Sequence, residues 1–304
     1  MKLNSLKKLK QNIMLKMLKD AGYEAFFVGG CVRGAVMIEQ GDALPMGDID
    51  IATNALPEQI KSVFESFRTV DTGIKHGTVT VIIDMPEAVT GKETPVNELA
   101  VKNEPVNESA AKETLRSISA EITTYRIDGE YSDNRHPDNV KFTRSLSEDL
   151  ARRDFTINAV AWDTDGGLYD PFRGCEDIKN KILRAVGEPK KRFEEDALRI
   201  MRGLRFAAVL GFSVDEETER AVYGSRHLLE NIAAERIYEE FKKLICGRFA
   251  GDVLRKYVDV IGIAIPELCA MKGFEQHNSY HRYDVLEHCI RAMERVGSGK
   301  ELCG

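Results

Sequence analysis

The chain has 304 residues, of which 43% are hydrophobic and 30% charged, the balance of an ordinary soluble globular protein with room for roughly two domains of ~150 residues. No stretch approaches the ~20 apolar residues of a membrane span, and Met1-Lys2-Leu3-Asn4-Ser5-Leu6-Lys7-Lys8 lacks a signal peptide's apolar core and cleavage site. The formal net charge of −6 excludes little, because nucleic-acid binding depends on local basic clusters, here Arg152-Arg153, Lys190-Lys191-Arg192 and Arg199 to Arg205.

In chain order, Leu6, Leu9, Ile13, Leu15, Met17 and Leu18 predict an amphipathic helix over 5–21, ended by Gly22. Ala25-Phe26-Phe27-Val28 reads as a short buried strand that runs into Gly29-Gly30, with a helix from Val32 onward. Asp48-Ile49-Asp50-Ile51-Ala52 alternates acid and apolar side chains and reads as a strand. A helix over 57–67 follows, with Pro57 in its first turn, then strands over 78–83 and 119–126. Residues 86–117 are polar and Ala/Glu-rich, and Pro95-Val96-Asn97-Glu98 recurs as Pro105-Val106-Asn107-Glu108. They read as an insertion between two strands, with no chemistry assigned. From about 189 strand signals stop, and helices are predicted over 192–211, 215–229 and 234–244, placing a domain boundary near 185. The six cysteines (31, 175, 246, 269, 289, 303) show no CxxC pairing, which predicts reduced thiols and a cytoplasmic protein.

Two features suggest chemistry. On a strand, Asp48 and Asp50 share one face, and carboxylates ~7 Å apart along it suit a hard divalent cation such as Mg²⁺. A lone acid–apolar–acid tripeptide is also the pattern of a solvated edge strand. Gly29-Gly30, between a strand and a helix, lets backbone N–H groups approach phosphate oxygens at a helix N-terminus; taken alone it is equally an ordinary turn. Strand–Gly-Gly–helix followed by an acidic strand is more specific than either. Two-metal phosphoryl transfer wants a further carboxylate on a neighbouring strand, and Glu121 is the candidate.

At this point the residues resemble a family. Val28-Gly29-Gly30-Cys31-Val32-Arg33 with Gly47-Asp48-Ile49-Asp50-Ile51-Ala52-Thr53 resembles the opening of the class II tRNA nucleotidyltransferases, the CCA-adding enzymes and their bacterial poly(A) polymerase relatives. Arg152-Arg153-Asp154-Phe155-Thr156-Ile157-Asn158-Ala159 resembles the family's R-R-D-F-x-x-N-A block, and Tyr169-Asp170-Pro171-Phe172-Arg173-Gly174 its D-P-x-x-G block. Arg192 to Arg202 resembles its nucleotide-selecting helix. The resemblance implies an α+β, DNA polymerase β-like nucleotidyltransferase head over 1–185 (a small mixed sheet with flanking helices), then an all-helical neck and body over 186–270. It implies Mg²⁺-dependent, template-independent addition of C and A from CTP and ATP to the 3′ end of tRNA, with no obligate protein partner. Asp48, Asp50 and Glu121 would be catalytic, and Asp48 and Asp50 metal ligands. Gly29, Gly30 and Arg33 would cradle the triphosphate. Asp196 and Arg199, three apart on one helix face, would read the base edge. Arg153, Asp154 and Asn158 would organise the nucleotide pocket, and Arg202 and Arg205 would meet triphosphate or tRNA.

Three further expectations follow. Residues 128–137, a polar Gly/Pro-marked loop, resemble the family's flexible loop that goes with adding A. The family usually has Asp after the Arg of its first block; Gly34 stands there, which predicts local loosening around Arg33. Residues 271–304 resemble the start of an HD-type helical domain, with His288 and Asp284 at i, i+4 either binding a metal weakly or simply facing solvent. No later His-Asp pair follows before Gly304, which predicts a truncated chain with a weakened tRNA grip. Poly(A) polymerase or A-adding activity, and a catalytically weak tRNA- or nucleotide-binding remnant, are the alternative readings.

Overall fold

The computed structural model describes residues 3–42, 47–85, 116–129, 140–165, 167–276 and 282–296. The expected insertion lies outside the described residues up to 115, as does the expected loop from 130 on. The chain divides into two compact units. One comprises residues 1–127, 140–152 and 160–171; the other comprises 128–139, 153–159 and 172–304. Residues 153–159 and 172–185, read from sequence as part of the head, thus cluster with the helical residues that follow.

The first unit is a seven-stranded mixed sheet with helices. Its elements are α1 (Asn4–Lys7), α2 (Asn12–Asp20), β1 (Ala25–Val28), α3 (Gly30–Glu39), β2 (Asp50–Thr53), α4 (Pro57–Val63), β3 (Arg68–Gly73), β4 (Thr78–Met85) and β5 (Arg116–Thr124). The short β6 (Arg126–Asp128) pairs with β7 (Val140–Phe142), and α5 (Leu146–Ala151), β8 (Ala161–Asp163) and β9 (Gly167–Tyr169) follow. The sheet order is β3-β4-β5-β2-β1-β8-β9, with only β2 and β5 parallel. Alternation fixes the faces. Ile51, Val79, Val81, Ile83 and Ile122 are buried, while Ser119 and Glu121 are exposed. Removing such side chains from water is the main term favouring the fold. Phe27 of β1 lies opposite Trp162 of β8, their rings stacked with centroids 6.2 Å apart. The buried hydroxyls of Thr53 and Thr124 donate to Glu24 O at 2.6 Å and Ala55 O at 2.8 Å, so neither is left unsatisfied in the core.

Several expectations change. The predicted helix over 5–21 is two pieces, with residues 8–11 between them; Asn12 Nδ2 donates to Leu6 O and Leu9 O and so fixes the break. The acidic strand starts at Asp50, not Asp48. The helix from Pro57 ends at Val63, and β3 was not read from the sequence at all.

The second unit contains α6 (Gly174–Asn180), β10 (Ile182–Leu183), α7 (Pro189–Glu195), α8 (Leu198–Leu210), β11 (Ser213–Val214), α9 (Glu216–Ser225), α10 (Ala234–Ile245), α11 (Ala250–Ile261), α12 (Pro266–Met271) and α13 (Val285–Val296). The parallel pair β10–β11 breaks the expectation of no further strands. The helix expected over 192–211 is interrupted at Asp196, whose backbone is extended (φ −141°, ψ 103°) and whose Oδ1 accepts from Leu198 N at 3.1 Å. A side-chain acceptor competing for the backbone donors is the usual reason an Asp ends one helix and starts the next. At the far end, Asp284 accepts from Glu287 N and Gly273 N, both at 2.7 Å, so it caps α13. Arg255 of α11 ties that helix to Glu287 and Glu294.

Cys31, Cys175, Cys269 and Cys289 form no disulfide, whereas Cys246 is disulfide-bonded, which the cysteine spacing does not announce. Among the described residues no helix is long and apolar enough to cross a membrane.

Candidate functional site

In the first unit the acids meet through strand register. The parallel pair β2–β5 sets Asp50 opposite Glu121, and Glu121 N donates to Ile49 O at 3.1 Å, just ahead of β2. Paired residues in a ladder project to the same face, so both carboxyls leave the side opposite the buried Ile51 and Ile122. Asp50 is half-buried and Glu121 exposed. Thr80 of β4 is Glu121's other register partner. Asp48 is exposed and precedes the strand, so strand alternation does not place it beside Asp50 as expected. Among the described residues no group of three or more His, Cys, Asp or Glu side chains is arranged to hold a metal ion. Strand register brings Asp50 and Glu121 together, with Asp48 just ahead of them in the chain. Their hard carboxylate oxygens fit a divalent cation that prefers oxygen donors.

The glycine turn lies at the same end of these strands. Val28 pairs with Asp50, so Gly29 follows directly beside the acid. Gly29 adopts φ 70°, ψ −134° at the N-cap of α3, a conformation that glycine alone adopts readily. A Cβ on Gly47 would stand 3.4 Å from the Gly30 carbonyl carbon, so two backbones pass close here. Arg33 turns back toward the turn, its Nη2 lying 3.7 Å from where a Gly30 Cβ would be. Gly34 is buried. The neighbouring Cys31 thiol donates to Val28 O at 3.2 Å, and burial pushes it up to about 11.

In the second unit the expected nucleotide residues form a connected polar cluster. Arg153 donates to Asn158 O at 3.4 Å. Asp154, 8% exposed, accepts from Phe155 N (2.8 Å) and Asn158 Nδ2 (3.0 Å) on Oδ1, and from Arg202 Nε (3.0 Å) and Nη2 (2.7 Å) on Oδ2. Burial alone would push its carboxyl up. The Arg202 guanidinium and the Asn158 amide outweigh that, with Arg199 adding to them, and hold it well below the usual carboxylate range. With both oxygens occupied, Asp154 is a hub that fixes Arg202 and Asn158. Arg199 donates to Glu195 Oε2 at 3.0 Å and Arg192 O at 3.3 Å. Asp196 pairs with Arg236 at 3.4 Å, and Arg236 Nη1 is buried with no acceptor among the described residues. Arg205 lies 2.7 Å from Glu240 and over the Phe206 ring at 4.2 Å.

Sequence reasoning missed Glu195, Arg236 and Glu240. A signal existed for Glu240. It follows Ile237 and precedes Leu244 at helical spacing, so a carboxylate falls on the apolar stripe of α10, and a charge there needs a partner.

A family model described as the poly A polymerase head domain matches residues 25–113 and 97–184. A second, described as a probable RNA and SrmB-binding site of polymerase A, matches 211–260. The chain is 43% identical over 260 residues to the CCA-adding enzyme of Anoxybacillus flavithermus, covering 85% of this chain and 56% of that protein. It is 41% identical over 264 residues to that of Lactobacillus helveticus, covering 86% and 56%. Among solved structures, the Bacillus stearothermophilus CCA-adding enzyme in complex with CTP matches with a TM-score of 0.67 at 35% identity, over 94% of this chain and 56% of that one. The chain thus spans a little over half the length of the relatives it matches.

Proposed function

The chain belongs to the poly A polymerase head-domain family, and from that membership we propose that it is a template-independent nucleotidyltransferase adding C and A, from CTP and ATP, to the 3′ end of tRNA. One observation carries this reading: Asp50 and Glu121 stand in register on one sheet face, beside the Gly29 turn at the start of α3. That is the set a nucleotidyl transfer needs, with carboxylates for the reacting oxygens and backbone donors for a triphosphate.

In the proposed reaction the 3′-hydroxyl oxygen of the tRNA bonds to the α-phosphorus of the incoming nucleotide. The bond from that phosphorus to the bridging oxygen breaks, and pyrophosphate leaves with its electron pair. Asp50 and Glu121, with Asp48 ahead of them, take charge of the hydroxyl and its proton. Mg²⁺ held by Asp48 and Asp50 would lower the hydroxyl's pKa and neutralise charge on the phosphates. Gly29, Gly30 and Arg33 bind phosphate oxygens. Asp196 and Arg199 read the base. Asp accepts from the exocyclic amine that C and A share, and Arg donates to a ring nitrogen or carbonyl. Arg153, Asn158, Arg202 and Arg205 hold that reading surface in shape or reach phosphate, and Asp154 ties Asn158 to Arg202.

The test is extension of a tRNA that ends before CCA, in Mg²⁺ with CTP and ATP, followed by sequencing of the 3′ ends. Addition of CCA that disappears in Asp48→Ala and Asp50→Ala is the expected result; absence of any extension defeats the reading. Poly(A) or A-only addition is the second reading, favoured by the family model's own description, and its product is an A tract made without CTP.

A further inference from the structure

The first unit carries a cavity away from the acids. Tyr23, Asn54, Leu56, Gln59, Phe142 and Arg144 line an opening of about 380 Å³. β1 and β2 run antiparallel, with Val28 opposite Asp50 at one end and Ala25 opposite Thr53 at the other. Tyr23 and Asn54 flank the second end, three strand residues or roughly 10 Å from the acids. The cavity is therefore a separate place.

Its chemistry is one-sided. Asn54 Oδ1 accepts from Glu24 N at 2.9 Å, and Gln59 Oε1 accepts from Leu56 N at 2.8 Å. With the oxygens so engaged, both amide NH₂ groups are what these side chains have left to offer. The Thr143 hydroxyl is spent on Glu148. Arg144 is exposed and makes no ion pair or hydrogen bond among the described residues, so it is the lining's one cation. Phe142 is fixed as a platform: a Cβ on Gly77 would come within 2.7 Å of its ring, yet the ring is 37% exposed. Tyr23 supplies a second aromatic surface.

We propose that this cavity binds a nucleoside phosphate, with the base against Phe142 and Tyr23 and the phosphate on Arg144 and the amides of Asn54 and Gln59. A guanidinium and amide N–H donors suit phosphate oxygens, and aromatic faces accept any base by stacking. The volume falls in the range of small-ligand sites. The same chemistry is offered by a free mononucleotide and by one nucleotide of a single-stranded RNA. The site does not depend on the catalytic reading.

Hydrogen exchange on the whole chain separates the two places, with AMP and hexaadenylate as probes and adenosine and inorganic phosphate as controls. AMP slowing exchange at residues 22–24, 54–59 and 142–144 supports the site and shows that a free nucleotide suffices. Protection by hexaadenylate alone supports it with RNA as the source. Arg144→Ala and Phe142→Leu, the latter keeping the packing on Gly77, should each weaken that protection at least about 10-fold, as loss of one charge-assisted or stacking contact does. Protection near 29–33 and 196–199 should be unchanged in both. Protection confined to 29–33 and 196–199 in the unaltered protein overturns the proposal. So does cavity protection that survives Arg144→Ala, or adenosine acting as well as AMP.

Discussion

Asp154 Oδ2 receives both Nε and Nη2 of Arg202, at 3.0 and 2.7 Å, while its other oxygen holds Phe155 N and Asn158 Nδ2. Removing one partner of such a pair leaves the other charge uncompensated. For a fully buried pair that costs about 3–5 kcal/mol; Arg202 is 36% exposed and solvent screens part of it. Arg202→Leu should therefore destabilise the second unit by roughly 2 kcal/mol, read as a shift in the urea midpoint.

The same pair sets a pH dependence. Asp154's carboxyl lies below its unfolded value of about 3.9. Its contribution is fully present above that pH and is lost as pH falls further toward the folded value. Stability measured from pH 6 to 2.5 should drop below about pH 4, and the drop should be shallower in Asp154→Asn. Equal slopes in the two proteins would assign the acid sensitivity to other carboxylates.

Gly203→Ala in α8 sets two effects against each other. In a free helix the change stabilises by about 1 kcal/mol. Here the new Cβ would lie 2.8 Å from Phe155 Cζ, and Phe155 is buried and packed edge-on against Phe206. Overpacking costs about 1–3 kcal/mol, so the balance is net destabilisation, seen as a lower melting temperature. A rise in melting temperature would show that the ring moves freely.

The parts of this fold that repeat a local pattern were legible in the sequence. Ala25-Phe26-Phe27-Val28, a helix after Gly29-Gly30 (read from Val32, observed from Gly30) and the helices after 189 follow from periodicity and punctuation. Glu121 was legible as a strand acid, yet only the parallel register with Asp50 makes it a partner. Register between strands about seventy residues apart leaves no local mark. The break at Asp196 was hidden because the apolar period continues through it, and the acid reads equally well as a helix-face residue or as a cap. Asp154 reads as a site residue by motif, but its saturation by four donors is a tertiary fact. Arg236 comes from α10, forty residues after the Asp196 it pairs with.

Cys31 lies in the first turn of α3, next to Gly29-Gly30, but should be chemically quiet. Burial raises its thiol to about 11, so little thiolate exists at neutral pH. Iodoacetamide at pH 8 should modify the exposed Cys269 and Cys289 and spare Cys31 until denaturant is added, as peptide mapping would show. Early labelling of Cys31 would mean that the turn opens.

Gly29→Ala tests the turn itself. At φ 70°, ψ −134° an alanine carries a backbone penalty on the order of 1–3 kcal/mol. The chain can meet it by unfolding slightly more often or by reshaping the turn. Reshaping moves the N–H groups at the start of α3, so the KM for CTP and ATP should rise more than the melting temperature falls. A proportionate loss of both would make the glycine structural only.

Glu121→Gln separates chemistry from stability most cleanly. Glu121 is exposed, so replacing its carboxylate with an amide of the same shape removes no packing. Surface changes of this kind shift stability by no more than about 0.5 kcal/mol. The amide keeps an acceptor oxygen, yet it neither takes a proton nor carries the charge a cation needs. Loss of one transition-state contact costs on the order of 10²–10³ in kcat, so extension of tRNA should fall by at least that, with the melting temperature unchanged. Glu121→Asp should recover part of it, since the charge returns one methylene short of its place beside Asp50. If Gln and Asp are equally active, the register pair is a sheet-surface feature and the chemistry rests on Asp48 and Asp50 alone.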